Sequence, residues 1–83
     1  MNNIYDFYNL IGQNIKNIRK KNGESQESFA EKFDLSRGFI SHIESQNIDV
    51  GVSLDTLFNI AQEYNIDIRD FFLGYEKFIK NEK

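Results

Sequence analysis

Ser41, His42 and Glu44 supply a nucleophile, a base and an acid within one short stretch of chain. Their spacing argues against catalysis. Neighbours on one helix project in different directions and do not converge on a substrate atom, so a nucleophile–base relay is excluded. His42 is the one histidine and there is no cysteine, so neither a thiolate nor a Cys/His metal site can be assembled. No glycine-rich phosphate loop occurs. Asp67 and Asp70 read as a helix cap and a first-turn charge, not as acid–base machinery. The sequence predicts no enzyme, no cofactor and no metal.

A different chemistry lies within reach of the same stretch. Arg37, Gly38, Ser41 and His42 fall on one side of an amphipathic run whose other side carries Ile40 and Ile43. The major groove of duplex DNA, about 12 Å wide, admits one helix. Arg37 could fork onto the O6 and N7 of guanine, and Ser41 and His42 could meet further base edges. Gly38 has no side chain and lets the backbone approach closely. An arginine at a helix start opposes the helix dipole, a mild cost that a guanine or phosphate contact offsets. These four are the expected base contacts.

Such a helix must be held at a fixed angle by others, and the hydrophobic spacing says which. Ile4, Tyr8, Ile11, Ile15 and Ile18 recur at helical spacing, and the run stops at Asn22-Gly23. Ser25 precedes a two-turn amphipathic helix from Gln26 to Phe33, and Ser36 precedes the next, residues 37–45. Between them stands the three-residue turn Asp34-Leu35-Ser36, making a helix-turn-helix unit. Ser53 caps a fourth helix, Leu54 to Tyr64, burying Leu57, Ile60, Ala61 and Tyr64, with Asn65 as its left-handed terminator. Asp67 caps a fifth with a stripe of Ile68, Phe71, Phe72, Tyr75 and Ile79, weakened at Gly74. The predicted class is all-α with five helices.

Four spaced words carry a resemblance. They are Ile11-Gly12-Gln13-Asn14-Ile15-Lys16-Asn17-Ile18-Arg19, Ser25-Gln26-Glu27-Ser28-Phe29-Ala30, Leu35-Ser36-Arg37-Gly38-Phe39-Ile40-Ser41-His42-Ile43-Glu44 and Ser53-Leu54-Asp55-Thr56-Leu57. Together they resemble the Cro/phage-repressor (Xre-type, lambda-repressor-like) helix-turn-helix regulators over residues 10–72. The resemblance implies base contacts at the same four positions of the third helix. It implies phosphate contacts from Gln26 and Asn47. Ser36 is a further expected phosphate contact, and Lys20 and Lys21 could add diffuse attraction or equally be ordinary charges at a helix C-terminus. The resemblance makes Arg19 and Glu44 an ion pair that orients the third helix. In the family, acidic residues at the positions of Glu27 and Glu31 touch the polymerase sigma subunit; a solvated helix face is the favoured reading of both. Dimerisation near the fifth helix is also implied, here through Phe72, Tyr75, Phe78 and Ile79. Two departures stand out. Asp34 occupies a turn position where the family usually has Gly, and Asp49 falls where a basic residue is frequent.

Composition bounds these readings. Eighty-three residues with 40% hydrophobic and 28% charged side chains suit one globular domain. The expected organisation is one DNA-binding domain over 1–83, with residues 1–9 an extension and 73–83 a tail near the dimer contact. The longest apolar run, Phe71-Phe72-Leu73, is far short of a membrane span, and the missing cysteine suits a reducing cytoplasm. Net charge is −3, yet residues 1–48 are balanced and residues 49–83 carry the whole deficit, so a polyanion would meet the first half. The expected function is a transcriptional regulator binding a short inverted repeat in double-stranded DNA as a homodimer, its own promoter a reasonable target. The acidic second half favours a rival, a protein-interaction module of antitoxin or anti-repressor type with little DNA binding.

Overall fold

The computed structural model describes residues 3–45 and 49–79. Its first four elements form where spacing and caps predict. Helix α1 spans Ile4–Lys21, α2 Gln26–Lys32, α3 Arg37–Ile43 and α4 Leu54–Tyr64. A serine starts each of the last three. The hydroxyls of Ser25, Ser36 and Ser53 accept from the N–H groups of Ser28, Phe39 and Thr56 at 3.0, 3.0 and 3.1 Å, satisfying donors that a helix N-terminus leaves unpaired. Helix α1 begins with a capping box that the sequence reading missed. The Asn3 side chain accepts from Tyr5 and Asp6 N–H, while the Asp6 carboxylate accepts from Asn3 N–H. Asn65 ends α4 with φ 53°, the expected left-handed terminator. Helix α3 is shorter than predicted, because Glu44 is already its C-cap.

The core joins all four helices. Ile15, Phe29, Ile40, Ile43, Leu57, Ile60 and Phe71 have almost no exposed surface, each contributing about 1.5–3 kcal/mol by leaving water. Phe29 lies flat against Tyr64 and edge-on to Phe33, at 6.1 and 4.9 Å between ring centres, which fixes α2 against α4. Packing of α3 on α2 and α1 follows from Ile40 and Ile43 on its inner side.

The fifth α-helix does not form. Two 3-10 helices, Ile68–Phe72 and Tyr75–Phe78, stand in its place, separated at Leu73-Gly74. Gly74 has φ 94°, a conformation open to glycine but strained for other residues. The backbone carbonyls there are claimed from outside. Buried Asn14 of α1 donates through Nδ2 to the oxygens of Phe71 and Leu73 at 2.8 and 3.0 Å. In a continuous α-helix those oxygens would accept from later N–H groups of the same helix. Asp67 caps the first 3-10 turn, accepting from Arg69 N–H.

The break divides the predicted stripe. Phe71 enters the core, while Phe72 and Phe78 pack on Phe7 of α1, at 6.1 and 5.6 Å between ring centres. Tyr75 touches Phe7 edge-on but stays 45% exposed, and Ile79 is 63% exposed. Phe7 is therefore the anchor of the first turns of α1, a role the Ile4–Ile18 spacing did not single out. No described helix is long and apolar enough to cross a membrane.

Candidate nucleic-acid interface

A tight reversal sets the angle between α2 and α3. Asp34 takes φ 57°, a left-handed geometry that Asp tolerates better than most residues. Asp34 N–H donates to the Glu31 oxygen and Leu35 N–H to the Ala30 oxygen at 2.8 Å, the paired bonds of a Schellman ending. The next residue, Ser36, is already the cap of α3. Asp where the family usually has Gly thus leaves the turn intact.

The far end of α3 is clamped from two sides. Arg19 of α1 grips the Glu44 carboxylate with both arms of its fork, Nε to Oε2 at 2.8 Å and Nη2 to Oε1 at 2.9 Å. Both side chains are buried, and Arg19 Nη1 also donates to the Glu24 carbonyl at 2.6 Å. The bonds to Glu44 push the guanidinium pKa above its ordinary value, while burial works against them. Gln13 Nε2 donates to the Glu44 carbonyl at 2.9 Å, and Gln26 Nε2 of α2 to Oε1 at 3.0 Å. One residue at the C-cap of α3 is thereby held by α1 and α2 together. Arg19 and Glu44 are thus joined by two bonds between α1 and the C-cap of α3.

With both ends fixed, α3 turns one side outward. Arg37, Gly38, Ser41 and His42 are exposed, opposite buried Ile40 and Ile43. Among the described residues the Arg37 side chain has no ion-pair or hydrogen-bond partner. A Cβ at Gly38 would meet nothing nearer than the Ser36 Oγ at 4.0 Å, so no contact inside the chain requires glycine there. His42 is different: its Nε2 lies 3.0 Å from Oδ1 of Asp49, in the segment leading to α4. That bond draws the Asp49 carboxyl below its ordinary range.

The expected phosphate contacts are dispersed. Ser36 is exposed beside Arg37, and its Oγ accepts from Phe39 N–H. Gln26 is half-buried, with one amide hydrogen directed at Glu44. Lys20 and Lys21 are exposed in the last turn of α1, and Lys21 lines a shallow cleft with Asn17, Asp70 and Leu73, beside the C-terminal segment. Asn47 lies outside the described residues. Glu27 and Glu31 are exposed on α2, and neither has an ion-pair partner among the described residues.

Sequence reasoning gave no role to Glu24, whose side chain ties the segment between α1 and α2 to both α2 and α4. Its carboxylate accepts from Ser28 Oγ at 2.6 Å and Tyr64 Oη at 3.0 Å, and pairs with Lys32. Those bonds, the one to Lys32 foremost, hold its pKa down at about 2. A Glu eight residues before a Lys gives no periodic signal, because the pair closes over the N- and C-terminal ends of α2. Among the described residues no group of three or more His, Cys, Asp or Glu is placed to hold a metal ion.

Comparison with known proteins agrees with this geometry. A family model described as a helix-turn-helix domain matches residues 12–77. The immunity repressor protein of Bacillus phage phi105 is 37% identical over 73 residues, covering 88% of this chain and 49% of the relative. The chain thus spans about half the length of the curated relative it matches.

Proposed function

The chain belongs to the helix-turn-helix domain family of Cro/C1-type regulators, and on that premise we propose that it is a sequence-specific transcriptional regulator acting as a homodimer on a short inverted repeat. The observation that carries this reading is the outward face of α3, presented by a helix whose start is set by the Asp34 turn and whose end is clamped at Glu44 by Arg19 and Gln26. Arg37 forks onto guanine, Ser41 and His42 meet neighbouring base edges, and Gly38 allows close approach. Ser36, whose hydroxyl hydrogen can still donate, and the second amide hydrogen of Gln26 meet phosphate, with Asn47, Lys20 and Lys21 adding to register and attraction. Likeness to a phage immunity repressor supports repression as the mode of action; the chain's own promoter is the first candidate target to test.

Two-fold pairing would set the recognition helices about 34 Å apart, one turn of duplex. Tyr75 and Ile79 are its exposed contacts, with Phe72 and Phe78 supporting them from below through Phe7. A monomer at high micromolar concentration in sedimentation would count against pairing. Glu27 and Glu31 remain open to a polymerase sigma contact.

The decisive measurement is binding to a candidate operator across a salt series. The specific complex should weaken log-linearly with salt. Arg37→Ala should erase sequence preference more than affinity. Equal binding to scrambled duplex would defeat the reading. Failure to be retained on heparin, with no co-purifying nucleic acid, would favour a protein-interaction module, the class toward which the net charge of −3 leans.

A further inference from the structure

His42 does not stand alone on the outward face of α3. Its Nε2 meets Asp49 Oδ1 at 3.0 Å, and the two side chains are 45% and 76% exposed. An ionised carboxylate can only accept. Nε2 therefore carries the hydrogen and donates it to Asp49. In the neutral ring Nδ1 is then left as a lone-pair acceptor. The second polar group of the pair, the carboxylate itself, is also an acceptor and is largely open to solvent. No other side chain among the described residues holds Asp49.

The bases differ in what they could offer such a pair. Guanine shows two acceptors in the major groove and thymine an acceptor and a methyl, whereas cytosine N4 and adenine N6 carry amino donors. We propose that His42 and Asp49 act as one acceptor unit that reads an amino-bearing base, cytosine or adenine, making Asp49 a specificity-determining residue of the interface. The inference rests on the DNA-binding reading above and narrows it. Arg37, which has donors only, matches guanine; the His42–Asp49 pair, one turn further along α3, matches the opposite pattern. Each half-site then contains a guanine set by Arg37 and a cytosine or adenine set by the pair. The carboxylate also repels phosphate, so it weakens binding to every sequence that lacks the amino group.

Selection of bound duplexes from a random pool, at one fixed salt concentration, tests this with wild type, Asp49→Ala and Asp49→Asn. Wild type should favour cytosine or adenine about tenfold at one position of each half-site. Asp49→Ala should lose that preference, keep the guanine that depends on Arg37, and bind unrelated duplex more tightly. Asp49→Asn keeps an acceptor but adds a donor, and should shift the position toward adenine, which an amide matches with two bonds. An unchanged preference in Asp49→Ala overturns the inference while leaving DNA recognition standing. If wild type enriches no sequence, the DNA-binding reading falls and this inference with it. Nitrogen NMR of the unliganded protein reads the pair independently: the neutral His42 ring should carry its hydrogen on Nε2 in wild type, with an Nε2–H signal that shifts in Asp49→Ala as the bond to the carboxylate is lost. An Nδ1-protonated neutral ring in wild type would also overturn the proposal.

Discussion

A Cβ built on Gly12 would lie 1.8 Å from the carbonyl oxygen of Ile43. Helices α1 and α3 therefore meet backbone to backbone, and the contact falls one residue before the Glu44 clamp. Neither side is a flexible side chain that could rotate away. Gly12→Ala must push α3 outward or unwind its last turn. Overpacking usually costs about 1–3 kcal/mol, and with backbone on the receiving side the loss should reach at least the top of that range. The midpoint of urea unfolding measures it; a variant as stable as wild type would show that α3 has room to move.

Arg19 and Glu44 test the clamp itself. Both are buried and joined by two bonds, so removing one partner strands the other's charge. Arg19→Met or Glu44→Leu should each destabilise by about 3–5 kcal/mol. The double replacement should recover much of that loss, because an apolar pair of similar volume leaves no orphaned charge. A double-mutant cycle in denaturant gives the coupling. Strictly additive losses would mean that the pair contributes no more than two independent side chains.

Where sequence and structure agree, the signals are local. Ser25, Ser36 and Ser53 cap helices because a hydroxyl before an amphipathic run needs only its own neighbours. The Arg19–Glu44 pair came from resemblance, since nothing in a 25-residue separation indicates contact. The fifth helix failed for a related reason. Its apolar spacing is genuinely helical, but Asn14, 57 residues away in the chain, takes the Phe71 carbonyl. At the candidate interface, the outward residues of α3 were legible from its amphipathic pattern. The Asp49 partner of His42 was not, because it reaches back from the segment that leads to α4.

Acid should expose the role of Glu24. Its pKa is held at about 2, chiefly by Lys32, then by Ser28 and Tyr64, against about 4.3 for an ordinary glutamate. A carboxyl whose pKa falls on folding contributes stability that is complete above its unfolded value and is lost as pH drops toward the folded one. Wild type should therefore lose stability between about pH 4.5 and pH 2 in part through this group. In Glu24→Gln that share of the acid loss should be missing, and the variant should start from a lower plateau at pH 7. Thermal melts across the acid range, recorded for both proteins, check this. Parallel pH profiles would show that the three bonds leave Glu24 as it is in the unfolded chain.

Asn14 decides the shape of the C-terminal segment, and two substitutions separate its bonds from its bulk. Asn14→Leu keeps comparable volume but donates nothing to the Phe71 and Leu73 oxygens. Leaving a buried carbonyl such as that of Phe71 unpaired costs about 1–3 kcal/mol, and the part-buried Leu73 oxygen adds less, so a total loss of about 2–4 kcal/mol is expected, with the 3-10 segments exchanging amide hydrogens faster than α4. Asn14→Asp should be worse at neutral pH, because a carboxylate would face two carbonyl oxygens with no hydrogen to offer, and should improve as acid protonates it. That inversion with pH distinguishes a lost donor from a simple packing defect. If Asn14→Asp instead matches wild type at pH 7, the Gly74 geometry is set by glycine alone and Asn14 is incidental to it.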